Sequence, residues 1–271
     1  MGLTAGVNYK FPIAPEAMED RSEFSEKLNT IGEVLQTFNY NQMFLCGSDG
    51  DYAGRKSYFE THGNFEVFDY YSAINEGYIA EDYKVWWGFE DKILYQVAKD
   101  KVTELASKDE PFNLTMLTVD THFTQGYWCD LCKEEYDSNT ANIIACADKQ
   151  VSNFVNWCKQ QDFYEDTVIV ITGDHERMDK YLVDDAKNRT IYNCFINSQI
   201  SDKSNIKNRI FSTLDMFPTI LASMGYTWDG NMLGLGTNLF SNEQTLAEKM
   251  TFEVFNQEIA KRSQYYVDNF Y

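Results

Sequence analysis

The sequence predicts an α/β fold in which a mostly parallel sheet is flanked by helices. Three observations lead there. Short apolar runs of strand length alternate with longer stretches of helical periodicity along most of the 271 residues. Val168, Ile169, Val170 and Ile171 are all apolar and β-branched, the composition of a central strand covered on both faces. Two of the apolar runs stop abruptly at polar groups, Asp120-Thr121-His122 and Gly173-Asp174-His175, as strands do where an open α/β sheet holds its ligand.

Taken in order, residues 1–20 contain Pro12 and Pro15 and show no strong strand, so the buried strand that usually opens a doubly wound fold is not predicted here. Phe24, Leu28, Ile31, Val34, Leu35 and Phe38 recur at helical spacing and predict a helix over 23–38. A strand follows at 40–46 around Met43, Phe44, Leu45 and Cys46. Phe89, Ile93, Val97 and Leu105 predict a helix over 88–106, and a strand at 112–119 comes next. Ile143, Ala147, Val151, Phe154, Val155 and Cys158 share one face of a helix near 140–160. That helix feeds the 166–172 strand, so 112–172 is expected to form a right-handed strand-helix-strand unit with both strand ends on one sheet edge. A strand at 190–196 and a helix near 214–224, with Pro218 tolerated in its first turn, complete the pattern. A single domain over 1–271 is the favoured organisation.

The charge of −19, from 42 acids against 23 bases, argues against binding a nucleic-acid backbone and requires any anionic substrate to meet a local cation. No run is long and apolar enough to span a bilayer, and the chain reads as soluble. Cys129, Cys132 and Cys146 fall close together in sequence. A disulfide from Cys146 to either Cys129 or Cys132 is expected in an oxidising compartment. Cys46, Cys158 and Cys194 lie in apolar runs and read as core.

Two of the three histidines follow candidate strands directly, so His122 and His175 are expected to share a cleft. Asp174 and His175 offer a hard oxygen and a borderline nitrogen, a pair suited to a divalent ion; taken alone, Asp-His after a strand is equally a turn with a helix cap. The loop Gly47-Ser48-Asp49-Gly50-Asp51-Tyr52-Ala53-Gly54-Arg55 opens at the same edge. Its glycines permit tight turns around an anion, and Arg55 offers a planar fork for phosphate or sulfate. Asp49 can accept from a substrate hydroxyl or orient Arg55, or serve simply as a turn residue. His62, in Thr-His-Gly, reads as a helix C-terminus capped by Gly63.

Gly173 to Asp179, Thr118 to His122 and Gly47 to Arg55 together resemble the lipoteichoic acid synthase and phosphoglycerol transferase I family, a sulfatase-like branch of the alkaline phosphatase superfamily. Trp87-Gly88-Phe89-Glu90-Asp91, Asp162-Phe163-Tyr164, Thr213 to Thr219 and Leu233 to Ser241 add to the likeness, which runs from about residue 2 to 265. The resemblance implies an alkaline-phosphatase-like fold and transfer of glycerol phosphate from a membrane phospholipid such as phosphatidylglycerol to an envelope glycan or polymer, outside the cytoplasm. It implies Asp174 and His175 as metal ligands, with manganese the first choice and magnesium, calcium or zinc as alternatives. It implies His122, Arg55 and Asp49 as substrate-binding residues.

The resemblance also marks a departure. The family's threonine nucleophile and first acidic metal ligand lie upstream of a segment resembling Gly2 to Val7, so the catalytic nucleophile is not identified in this chain; Thr4 matches the downstream part of the nucleophile helix and is not the favoured choice. The chain is thus expected to correspond to the C-terminal part of the catalytic domain, to bind metal weakly through two ligands, and to be inactive alone. A sulfatase or phosphodiesterase of the same superfamily, and a non-catalytic module binding glycerol phosphate, are the alternative readings.

Overall fold

A computed structural model describes residues 1–179, 182, 189–202 and 206–271. The elements run α1 (Gly2–Ala5), α2 (Ile31–Gln36), β1 (Asn41–Cys46), α3 (Arg55–Thr61), β2 (Glu66–Phe68), α4 (Tyr70–Asn75), α5 (Asp91–Ala106), β3 (Phe112–Leu117) and α6 (Asn139–Cys158). They continue as β4 (Ile169–Thr172), β5 (Asn193–Ile196), α7 (Met216–Ser223), β6 (Met232–Leu233), β7 (Gly236–Thr237), α8 (Leu246–Lys249), α9 (Phe252–Ile259) and α10 (Gln264–Phe270). As expected, no strand precedes residue 21; a 3-10 turn at Pro15–Met18 lies there instead.

The main sheet has the order β2-β1-β3, all parallel, with Phe44 beside Val67 on one side and Thr115 on the other. β1 is central and buried because Met43, Phe44, Leu45 and Cys46 are apolar on both faces. α5 covers this sheet: Leu94, Val97 and Ala98 are fully buried against Leu45, Phe68 and Phe89. Removing the leucine, valine and phenylalanine side chains among these from water contributes about 1.5–3 kcal/mol each. α6 packs beside α5, with Tyr95 and Phe154 ring centroids 5.4 Å apart.

Two expectations are corrected. The helix over 23–38 shrinks to α2, because Thr30 and Glu33 form a capping box at residue 30 and stop the helix from extending backward. Upstream, Ser25 sits at φ 54° and the backbone of Phe24 bonds to the end of α3, its N–H to Thr61 Oγ1 at 3.2 Å and its carbonyl accepting from His62 Nε2 at 2.6 Å. Phe24 and Leu28 are core residues all the same, delivered by an irregular segment.

The second correction concerns β4. It is not a buried central strand continuous with β3: it pairs antiparallel with β5, Ile169 opposite Ile196, and is only half-buried. Between β3 and β4 lies a cavity of about 1590 Å³ lined by every residue from Phe112 to Thr118 and from Thr167 to Asp174. Side chains alternate between the faces of a strand, so a cavity that touches each residue in turn meets the backbone edges. Neither edge pairs with another strand among the described residues. The crossover through α6 therefore brings the two strands to opposite walls of one cavity, not to adjacent places in one sheet.

Candidate functional site

Asp49, His122 and His175 are not among the lining residues of this cavity, whereas Arg55, Thr121 and Asp174, each beyond the end of a strand, line it. Each arrives there by a different loop. After β1, the chain turns through Ala53 at φ 56° and Gly54 at φ 71° before α3 begins. A side chain at Gly54 would press on Met18 Cβ at 2.8 Å, and one at Gly50 on Asp69 Oδ2 at 2.9 Å, so these glycines serve backbone turning and close packing within the protein.

Arg55, the first residue of α3, is held by its own loop. Its Nε donates to Tyr52 O at 3.1 Å, and its Nη2 to Ser48 Oγ at 3.0 Å and Asp49 O at 2.6 Å. Among the described residues no hydrogen bond engages Nη1, which remains available to an anion. Asp49 orients Arg55 through its backbone carbonyl. Its carboxylate accepts from Asp51 N at 2.9 Å, as a turn residue does, and its charge pushes the exposed Tyr71 phenol up.

The loop after β3 is fixed by a carboxylate pair that sequence reading did not single out. Asp91, at the start of α5, accepts from Val119 N at 2.8 Å and Asp120 N at 3.0 Å, while Asp120 Oδ1 accepts from Asp91 N at 3.1 Å. Burial, with the neighbouring Asp91 charge, drives the Asp120 carboxyl well above its ordinary range; burial raises Asp91 likewise. His122 follows, half-buried, with Nδ1 2.6 Å from Phe123 O and its ring 5.2 Å from Trp87. Trp87 in turn lies 6.0 Å from Tyr52, so an aromatic rim runs from the Arg55 loop to His122.

At the end of β4, His175 N donates to Asp174 Oδ1 at 3.0 Å and His175 Nδ1 lies 2.8 Å from Glu176 O. With Nδ1 against that carbonyl, His175 Nε2 lies 3.3 Å from Asp174 Oδ2. Both side chains are more than half exposed, at 54% and 58%. One nitrogen and one oxygen on a divalent ion at about 2.1 Å stand roughly 3.0–3.5 Å apart, so the pair fits a shared ion. Among the described residues the three-donor clusters capable of holding a metal do not include Asp174 or His175, which makes this a two-donor set.

His122 and His175 do not bond to each other. Their loops meet through Arg177, whose Nη1 donates to Thr121 O while its Nε and Nη2 pair with Asp179 at 2.9 and 2.8 Å. Arg177 and Trp87 fall within motifs that carry the family resemblance, but the motifs assign neither a role, since each contact depends on a partner distant in the chain. His62 is excluded from the site: 1% exposed, it caps α3 with Nδ1 on Glu33 Oε1 at 2.7 Å and Nε2 on Phe24 O.

A family model described as Sulfatase matches residues 3–226. Phosphoglycerol transferase I of Escherichia coli is 27% identical over 249 residues, covering 88% of this chain and 32% of that protein. The Citrobacter koseri protein of the same name is 27% identical over 256 residues, covering 90% and 32%. The chain thus spans about a third of the length of the curated relatives it matches. Among solved structures, a protein in the alkaline phosphatase superfamily from Vibrio parahaemolyticus superposes with a TM-score of 0.69 at 21% identity, covering 91% of this chain and 58% of its own. The lipoteichoic acid synthase LtaP from Listeria monocytogenes gives 0.70 at 17% identity, covering 88% and 62%. The fold is accordingly alkaline-phosphatase and sulfatase-like, a parallel sheet with flanking helices.

Proposed function

The chain belongs to the sulfatase family, and from that premise we propose that residues 1–271 form a sulfatase-like unit serving metal-dependent transfer of glycerol phosphate. The donor is a phosphatidylglycerol-type lipid and the acceptor an envelope glycan or polymer, which places the reaction outside the cytoplasm. The relatives named phosphoglycerol transferase I support the reaction class. The observation that carries the reading is the arrival of Arg55, Thr121 and Asp174 at one cavity from three separate strand ends. Among the described residues no helix is long and apolar enough to cross a membrane.

In this reading Asp174 and His175 hold a divalent cation, manganese by preference, which when bound supplies Lewis acidity and positive charge beside the phosphoryl group. Arg55 Nη1 donates to a phosphoryl oxygen, its guanidinium already aimed by Ser48, Asp49 and Tyr52, so little ordering remains to be done on binding. His122, with Nδ1 committed to Phe123 O, presents Nε2 to a glycerol or leaving-group oxygen. Asp49 accepts from a glycerol hydroxyl. The nucleophile is not assigned. Thr4 Oγ1, which lines the cavity, is engaged with the Tyr58 hydroxyl at 2.6 Å.

Calorimetry with glycerol phosphate tests the site in this chain. Binding is expected to strengthen with Mn²⁺, to lose that dependence in Asp174→Ala, and to weaken by about tenfold in Arg55→Ala. No affinity with or without Mn²⁺ sinks the reading. The two-donor set favours a second one, a module that binds glycerol phosphate without turning it over. Mn²⁺-dependent release of glycerol phosphate from phosphatidylglycerol vesicles separates the two: this chain alone is expected to show none, and release by a longer polypeptide containing it decides for transfer.

A further inference from the structure

Three cysteines meet where the loop carrying Cys129 and Cys132 packs against Cys146 of α6. Cys132 and Cys146 are joined as a disulfide, one of the two pairings expected. Cys129, 3% exposed, keeps a free thiol with Sγ 3.7 Å from Cys132 Sγ and 3.9 Å from Cys146 Sγ. Gln150, one helical turn beyond Cys146, turns its carboxamide onto the same sulfurs, Nε2 lying 4.0 Å from Cys129 Sγ and 3.9 Å from Cys146 Sγ. Gln150 is 7% exposed, and its Oε1 is buried without a hydrogen-bond partner.

We propose that, with the disulfide reduced, Cys129, Cys132, Cys146 and Gln150 form a binding site for one zinc-class cation, distinct from Asp174 and His175. Sulfurs bound tetrahedrally to zinc at about 2.3 Å stand about 3.8 Å apart, the separation Cys129 keeps from both partners. A turn of the Gln150 amide exchanges its nitrogen and oxygen and directs Oε1 at the centre as the fourth donor. That turn gives a partner to an oxygen that is otherwise buried without one. The three ligating atoms lie within 4.8 Å of one another, with Cys129 and Cys146 buried and Cys132 partly so, unlike the exposed Asp174 and His175. Soft thiolates also select a different ion from that pair.

The chemistry balances simply. A thiol or phosphine reductant delivers two electrons, and with two protons the Cys132–Cys146 bond becomes two thiols. Zn²⁺ then binds with release of three thiol protons. The loop carrying Cys129 to Cys132 stays tied to α6 in either state, by a covalent bond in one and by the ion in the other.

The test uses the whole chain under a phosphine reductant, titrated with Co²⁺ as the spectroscopic substitute for zinc. A thiolate-to-cobalt charge-transfer band with tetrahedral d–d bands, saturating at one ion per chain, is expected. Cys129→Ser, which retains the disulfide partners and can be folded oxidised before reduction, is expected to lose most of the charge-transfer intensity. Gln150→Leu is expected to keep it and shift the d–d bands. Cys158→Ser and the Asp174→Ala, His175→Ala double variant are expected to leave the thiolate band intact. Absence of the band in reduced protein that retains its circular dichroism, or a band unchanged by Cys129→Ser, overturns the proposal.

Discussion

Asp120 lies two residues from the proposed substrate histidine; its carboxylate accepts from a single backbone amide, Asp91 N, while its own N–H donates to the Asp91 carboxylate. Burial, reinforced by Asp91, raises its folded value above the unfolded one. The folded state then binds the extra proton, so the stabilisation is fully present below about pH 4 and is lost as pH rises toward and past neutrality. Asp120→Asn keeps the oxygen that accepts from Asp91 N and removes the titration. Thermal melts from pH 5 to pH 9 are expected to show a smaller fall in Tm for the variant than for the parent. Equal slopes would show that this pair does not set the pH response of the His122 loop.

At the scale of elements, the C-terminal third is clamped by one arginine. Arg209 donates to Glu248 Oε1 at 2.8 Å and Oε2 at 2.9 Å, and to the carbonyls of Leu239, Ser241 and Glu243 at 2.9, 3.0 and 2.6 Å. The Arg209 hydrogen bonds outweigh desolvation and hold the Glu248 carboxyl down at about 2. Arg209→Lys leaves several of these acceptors unpaired and is expected to cost about 3 kcal/mol, a Tm loss of roughly 6–12 °C by differential scanning calorimetry. A loss under a degree would show that the clamp carries no load.

No periodicity announces such a contact. β1, α5, β3 and α6 are legible because their apolar residues repeat within the element itself. The 23–38 helix misleads for a related reason: Phe24 and Leu28 bury as the pattern says, yet Thr30 and Glu33 settle the helix start by a local bond that the spacing does not encode. β4 shows a different limit, since β-branched residues report suitability for a covered strand and leave its neighbours unspecified. In the site, Arg55, His122 and Asp174 are visible as polar groups ending apolar runs. The roles of Asp91, Trp87 and Arg177 emerge from partners about thirty to sixty residues away.

For the molecule as a whole, the two strand edges that border the central cavity set its behaviour in concentrated solution. Rows of unpaired amide and carbonyl groups on apolar strands invite pairing with another chain. The charge of −19 opposes that approach, and its reach depends on the solvent: about 10 Å at 0.1 M ionic strength and 3 Å at 1 M. Light scattering at fixed protein concentration is therefore expected to rise with added salt, and a Lys placed at Ile169 to suppress the rise. Scattering that is flat across salt would mean the edges are inaccessible to other molecules. Among the described residues the facing edges of β3 and β4 have no strand partner, so the net negative charge is what keeps other chains from adding to them.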